Sequence, residues 1–113
     1  MNACGRNMPR ETVALIKRSG LFPGVDSGPM HLAAASGSPT VVLFSARDLP
    51  GKWYPLGNNL MVLRVKAPCW GWVIERSCPH ENLCMKSIDV DTVSAAVADA
   101  LKKDWNVPSS RHI

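Results

Sequence analysis

A short segment near the start of the chain combines a glycine-containing turn with a proline and a run of small residues. Residues 25–35 read Val-Asp-Ser-Gly-Pro-Met-His-Leu-Ala-Ala-Ala, and the apolar run 40–44 follows a second turn. Pro29 suits the first position of a helix, because the N–H that proline lacks has no acceptor there. Gly28 has no Cβ and lets another group approach the main chain closely. The segment therefore predicts strand, turn, helix and strand in succession, an order typical of α/β folds with parallel strands.

The same turn is a candidate anion site. The main-chain amides of Met30 and His31 are expected to point outward at the positive end of the helix dipole, where a phosphate binds favourably. Together with Ser27 and Gly28 they predict a diphosphate site made mostly of main-chain N–H groups. Asp26 would repel a phosphate, so it either accepts hydrogen bonds from sugar hydroxyls or caps the turn. The His31 side chain either donates to a phosphate or is a structural imidazole near the helix start.

The rest of the chain predicts further alternation of helices and strands. Asn7 is a candidate cap for a first helix that Gly20 ends, and Asp89 is a candidate cap for a last amphipathic helix. The expected strands are 21–25, 40–44 and 59–65, with a helix from Pro29 to Ser36 and a loop over 45–58. The prediction is about three parallel strands flanked by helices, in a domain over residues 1–104 followed by a loose tail over 105–113.

The ends of the first two strands predict where a ligand lies. In a doubly wound sheet the ligand crevice lies outside the carboxyl ends of the strands. Asp26 follows the first strand and residues 45–48 follow the second, so we expect both to border one crevice. Arg47, in the second of these segments, is either a clamp for a phosphate or an exposed loop arginine.

Four ordered blocks of the sequence resemble glycosyltransferase family 9, the ADP-heptose:lipopolysaccharide heptosyltransferases. The blocks are Gly5-Arg6-Asn7 through Arg10-Glu11 and Leu15-Ile16; residues 26–44; Pro50, Trp53, Pro55 and Gly57; and Cys69, Cys78, Cys84-Met85 and Ile88. The resemblance covers roughly residues 5–101. It implies a partial Rossmann-like fold, the C-terminal half-domain of a GT-B enzyme, with a phosphate contact at His31.

The resemblance also implies a ligand and a limit on activity. The ligand would be a nucleotide sugar similar to ADP-heptose, used in lipopolysaccharide biosynthesis, with no cofactor and no metal. The family's general base, its acceptor site and its phosphate-binding lysine belong to parts that match nothing in these 113 residues. We therefore expect a chain that binds the diphosphate and is catalytically incomplete alone. The alternative is a self-associating scaffold remnant that binds no ligand.

Composition and charge narrow the class of protein. The chain is 46% hydrophobic and 19% charged, with no apolar run long enough to span a bilayer. The net charge of +4 mildly favours phosphate-bearing ligands or an anionic membrane surface. The basic residues are scattered without interleaved aromatics, which does not indicate a nucleic-acid-binding protein. We expect a cytoplasmic protein, with peripheral contact at the inner membrane as a further possibility.

Two further expectations concern the cysteines and the assembly. Cys69, Cys78, His80 and Cys84 form a candidate zinc set, but no pair has Cys-x2-Cys spacing, so reduced and partly buried thiols are the favoured interpretation. The first strand is expected to leave one edge of the sheet uncovered. Since uncovered edges pair with other chains, the pattern predicts a homodimer through that edge or the adjacent face.

Overall fold

A computed structural model describes residues 2–45, 51–64 and 83–103, and the main chain of 109–112. The elements are α1 (Pro9–Ser19), β1 (Phe22–Val25), α2 (Gly28–Ala35), β2 (Thr40–Phe44), β3 (Asn59–Arg64), α3 (Leu83–Lys86), α4 (Val90–Lys102) and β4 (Ser109–His112). The strands form one sheet in the order β1-β2-β3-β4, and every neighbouring pair is parallel. The predicted α/β class, with parallel strands flanked by helices, is confirmed.

The first helix begins and ends for local reasons. Met8 is the N-cap, and its N–H donates to Glu11 Oε1 at 2.9 Å, which places an acidic group at the positive end of the helix. The predicted cap at Asn7 is wrong, because the N-cap is the next residue, Met8, and the Asn7 Nδ2 donates to the Ala3 carbonyl oxygen at 3.0 Å. Gly20 ends the helix with a φ of 82°, a left-handed conformation that favours glycine.

Alternate residues of the strands build two apolar clusters on opposite faces of the sheet. One cluster joins Met30 of α2 to the strand residues Val42, Phe44, Leu60 and Val62. The other cluster joins Ala96 and Ala100 of α4 to Val41, Met61 and Leu63. Because β2 and β3 are covered on both faces, their sequences are almost continuously apolar, as expected for the centre of a parallel sheet.

The last helix follows its sequence signals. Asp89 is the N-cap, and its Oδ1 accepts from the Thr92 N–H at 2.8 Å, as predicted. Ile88 and Val93 flank this cap and both pack against the cluster under α4. The cap and the flanking apolar pair together hold the start of α4 on the sheet.

The tail differs from expectation. Residues 109–112 form β4, which runs parallel to β3 with Asn59 opposite Ser109, whereas the sequence predicted a loose tail over 105–113. The segment Ser-Ser-Arg-His lacks the β-branched alternation that identifies a strand. Pairing with β3 supplies partners for main-chain groups on that side of β3, which local propensity does not report.

Only some of the residues in the cysteine predictions lie in the part of the chain that the structure describes. Cys84 is buried in α3 and Cys4 is exposed near the start of the chain. Cys69, Cys78 and His80 lie outside the described residues, as do the first and last residues of the chain. Within the described ranges, no three side chains of the His, Cys, Asp and Glu types come together in a group able to hold a metal ion.

Candidate functional site

An open pocket lies at the carboxyl ends of β1 and β2. Its volume is about 340 Å3, and it is lined by Val25, Asp26, Leu43, Ser45 and Met85. Val25 and Leu43 are opposite each other in the register of the two strands, so the residues that follow them are also brought together. Asp26 and Ser45 therefore border one crevice, as the order of the strands predicted. The volume falls at the small end of ligand sites, which run from roughly 300 to 1,000 Å3.

Among the described residues that line this pocket, Asp26 carries the one charged side chain. It is exposed, and within the described structure its carboxylate has no hydrogen-bond or ion-pair partner. The N-cap of α2 is Ser27, so Asp26 is not the cap of that helix. Its carboxylate oxygens remain available as acceptors for hydroxyl groups on the rim of the pocket.

The turn between β1 and α2 is held by Ser27 and left open at Gly28. The Ser27 hydroxyl donates to the Val25 carbonyl oxygen at 3.1 Å, which ties the turn to the end of β1. A Cβ placed on Gly28 would meet nothing within 4 Å. The protein itself therefore does not require glycine there for packing, and the space beside the helix start is open to an incoming group.

The main-chain N–H groups that are free to bind a ligand at the start of α2 differ from the predicted ones. The helix begins at Gly28, one residue before the predicted start at Pro29. The prediction that the main-chain amide of His31 points outward is wrong, because this N–H donates to the Ser27 carbonyl oxygen at 3.4 Å. Met30 is 0% exposed and belongs to the core, so its amide does not reach the surface either. Ser27 and Gly28 are left as the accessible main-chain donors at this helix end.

The side chain of His31 is described by the structure, whereas the other predicted phosphate contact, Arg47, is not. The His31 side chain is exposed on the first turn of α2 and forms no hydrogen bond with another described residue, so it is not a structural imidazole in this part of the chain. Arg47 lies outside the described residues. The helix end therefore carries one ionisable side chain that is able to donate to an anion, in addition to its main-chain donors.

The two aromatic residues of the following loop lie apart from the pocket. Tyr54 packs on Phe44, with 4.7 Å between ring centroids, and so supports the loop by aromatic packing. Trp53 is 51% exposed, and Lys52 Nζ lies 5.8 Å from its ring centroid. Neither aromatic lines the pocket at the ends of β1 and β2.

Sequence reasoning did not identify the apolar wall of the pocket. Met85 lies on the one-turn helix α3, far along the chain from Val25, and reaches the pocket only through the tertiary fold. No spacing rule connects these residues. The signal that was present in the sequence is the pair of strand ends, because residues that follow neighbouring parallel strands share an edge.

Comparisons with known proteins agree with this architecture. The family model for glycosyltransferase family 9 (heptosyltransferase) matches residues 1–82. Lipopolysaccharide heptosyltransferase 3 of Escherichia coli is 47% identical over 51 residues, a match that covers 45% of this chain and 15% of that protein. No solved structure matches the chain. Since the family match covers well over half of the 113 residues, the chain belongs to glycosyltransferase family 9, the heptosyltransferases.

Proposed function

We propose that the chain binds the diphosphate and sugar of a nucleotide sugar similar to ADP-heptose. The observation that carries this proposal is the continuity of the open start of α2 with the pocket beside it, through Asp26. A helix start attracts phosphate oxygens, and a carboxylate next to it suits hydroxyl groups. Heptose transfer is the activity named for the E. coli relative, which supports this class of ligand.

Each residue has a distinct role in this proposal. Ser27 and Gly28 donate main-chain N–H groups to the phosphates, and His31 donates from its ring. Asp26 accepts from sugar hydroxyls and stays apart from the diphosphate because of its charge. Met30 supports the turn from the core rather than contacting the ligand.

Transfer of the sugar requires more than binding. A general base must take a proton from the acceptor hydroxyl, and positive groups must stabilise the departing diphosphate. The pocket wall carries one carboxylate and no cation among its described residues. We therefore propose that these 113 residues bind the donor without catalysing transfer alone, as part of lipopolysaccharide biosynthesis in the cytoplasm.

Isothermal titration calorimetry with ADP and ADP-heptose tests the proposal. We expect saturable binding by the unaltered chain and a loss of about tenfold or more for Gly28→Val, the factor that corresponds to roughly 1.4 kcal/mol. Because a side chain at Gly28 enters open space, the variant should keep its thermal unfolding midpoint. Ala35→Val is the matched control, since it adds a β-branched residue at the exposed far end of the same helix.

Two outcomes contradict this function. One is the absence of heat at millimolar ligand with a chain that is folded by circular dichroism. The other is equal affinity for the unaltered chain and Gly28→Val. Either result would favour the alternative of a scaffold without a ligand.

The second candidate is self-association. The observation that favours it is the position of β1 at one edge of the described sheet, with Val25 51% exposed. An exposed strand edge is a template for a second chain, and a homodimer through this edge or its face remains our proposal for the assembly. Sedimentation velocity over a range of protein concentrations tests it, and a monomer at every concentration would contradict it.

The proposed location is the cytoplasm, with peripheral contact at the inner membrane. No helix in the described ranges has the length and apolar character needed to cross a bilayer. The net charge of +4 favours attraction to an anionic lipid surface.

A further inference from the structure

The loop of residues 51–58, here named the Trp53 loop, is anchored on its inner side. Tyr54 packs against Phe44, and Pro55 is buried. Gly57 has a φ of 142°, and a Cβ there would lie 3.3 Å from the Ala34 carbonyl oxygen of α2. The inner side of this loop is therefore packed on the body of the chain through Tyr54 and Pro55, and its main chain at Gly57 lies close to α2.

Two large apolar side chains of the Trp53 loop are exposed to solvent. Leu56 is 90% exposed and Trp53 is 51% exposed. Lys52 is also exposed, with its Nζ 5.8 Å from the Trp53 ring centroid. Exposed large apolar groups that are neighbours in one packed loop are typical of a contact surface.

We propose that the Trp53 loop is the part of this chain that contacts an anionic phospholipid bilayer. Trp53 enters the level of the headgroups, where its amphipathic ring is favoured, and Leu56 reaches toward the acyl chains. Lys52 interacts with anionic headgroups beside the ring. The net charge of +4 brings the whole chain toward such a surface.

A lipid surface fits this loop better than a protein partner does. A stable protein interface buries about 1,200 Å2 or more, and the two apolar side chains of one loop supply only a small part of that area. A bilayer needs no complementary pocket, and a few apolar and basic groups suffice for reversible attachment. The combination of tryptophan, lysine and leucine is typical of interfacial segments.

This inference rests on the proposed peripheral location and not on donor binding. The Trp53 loop and the pocket beside Asp26 share no described lining residue. The Leu56→Ala variant should therefore bind ADP as the unaltered chain does. A loss of ADP binding alone would affect the proposed donor site and leave the lipid contact standing.

Co-sedimentation with vesicles of phosphatidylglycerol and phosphatidylcholine is the test, with the full chain. We expect binding to these vesicles and much weaker binding to phosphatidylcholine alone. Leu56→Ala should lose about tenfold in vesicle affinity, consistent with removal of one large apolar side chain from the contact. Leu101→Ala is the matched control, since Leu101 is 66% exposed on α4 and lies outside the loop.

A second measurement identifies Trp53 directly. The chain has four tryptophans, so fluorescence quenching by brominated lipid is compared between the unaltered chain and Trp53→Phe. We expect most of the quenching to disappear in that variant while vesicle binding is retained. Equal vesicle binding by the Leu56 and Leu101 variants, or unchanged quenching in Trp53→Phe, would overturn the proposal and direct the search to a protein partner.

Discussion

The main-chain N–H of Phe22 donates to the carbonyl oxygen of Pro39 at 2.8 Å. In a parallel strand the main-chain groups of alternate residues turn to the same neighbour, so Phe22 and Gly24 face β2 while Pro23 faces the outer edge. Pro23 therefore loses no hydrogen bond to β2. The position suits proline, which occurs in sheets mainly on edge strands with its nitrogen turned away from the ladder.

The outer edge of β1 is consequently a limited template, so the proposed homodimer would use only a few of its main-chain groups. Pro23 has no N–H to offer, and the Val25 carbonyl oxygen already accepts from the Ser27 hydroxyl. Strand addition at this edge would form fewer bonds than the length of β1 suggests. The uncovered edge of the sheet that the sequence predicted is present at β1, but the residues of β1 limit how well a strand of another chain can pair with it.

Pro23→Val should strengthen self-association at the β1 edge. The substitution restores an outward N–H and adds a β-branched residue that suits a strand. We expect a larger dimer fraction by sedimentation velocity. Pro23→Lys is the control, because it restores the same N–H but adds a charge of the kind that blocks edge pairing. Equal dimer fractions for both variants and the unaltered chain would place any interface away from this edge.

Asp26→Ala should distinguish the contribution of the sugar to binding from that of the diphosphate. We expect binding of ADP-heptose to weaken about tenfold or more, since loss of a charged hydrogen-bond acceptor typically corresponds to roughly 1.5–3 kcal/mol. ADP should bind as well as before or more tightly, because the carboxylate no longer repels its phosphates. Calorimetry measures both ligands, and Asp91→Ala provides an exposed carboxylate control on α4. Equal weakening for both ligands would contradict the sugar role.

His31→Ala should weaken binding of ADP and leave adenosine binding unchanged, because the ring is proposed to donate to a phosphate. The side chain is exposed, so the thermal unfolding midpoint should change little. His31→Gln, which keeps a donor, should recover part of the affinity. A variant series in which adenosine is affected as strongly as ADP would exclude a phosphate contact.

Leu63→Ala should destabilise the fold by about 2–5 kcal/mol, the usual cost of emptying a buried leucine site. Leu63 is 1% exposed and packs under α4. Leu56→Ala is the matched comparison, since it makes the same change at a side chain that is 90% exposed. Urea unfolding followed by circular dichroism measures both. A similar midpoint for the two variants would contradict the packing of β3 against α4.

The start of α4 should contribute a pH-dependent increment of stability. Hydrogen bonds from the side chain and main chain of Thr92 lower the pKa of Asp89 below its ordinary 3.8, against a small opposing effect of burial. A lowered folded-state pKa means that the stabilisation is present above 3.8 and is lost as the pH falls through the folded-state value. Asp89→Asn keeps a capping acceptor and removes the titration.

Thermal unfolding from pH 6 down to pH 2 measures this contribution. The difference between the unaltered chain and Asp89→Asn should shrink at the acid end. Asp91→Ala, in the same helical turn, should retain the acid dependence of the unaltered chain. A difference that stays constant across the range would contradict a titrating cap.

The described elements show which features depend on neighbouring residues alone. The end of α1 at Gly20 and the cap at Asp89 were predictable, because a left-handed residue and an N-cap act within one turn of a helix. The approach of Asp26 and Ser45 was also predictable, since it follows from two successive parallel strands. The cap at Asn7 was not, because the helix begins one residue later, where Glu11 accepts from the N–H of the N-cap Met8.

The sequence by itself therefore determined the α/β class and the turn beside the candidate site, which depend on residues close together in the chain. It also determined the family, which four ordered blocks along the chain indicate. Only the tertiary structure decided that Met30 is in the core, that Met85 lines the pocket and that residues 109–112 pair with β3. Each of these depends on contacts between segments far apart in sequence. Such contacts are set by packing and by the pairing of main-chain groups across the sheet, which local propensity does not contain.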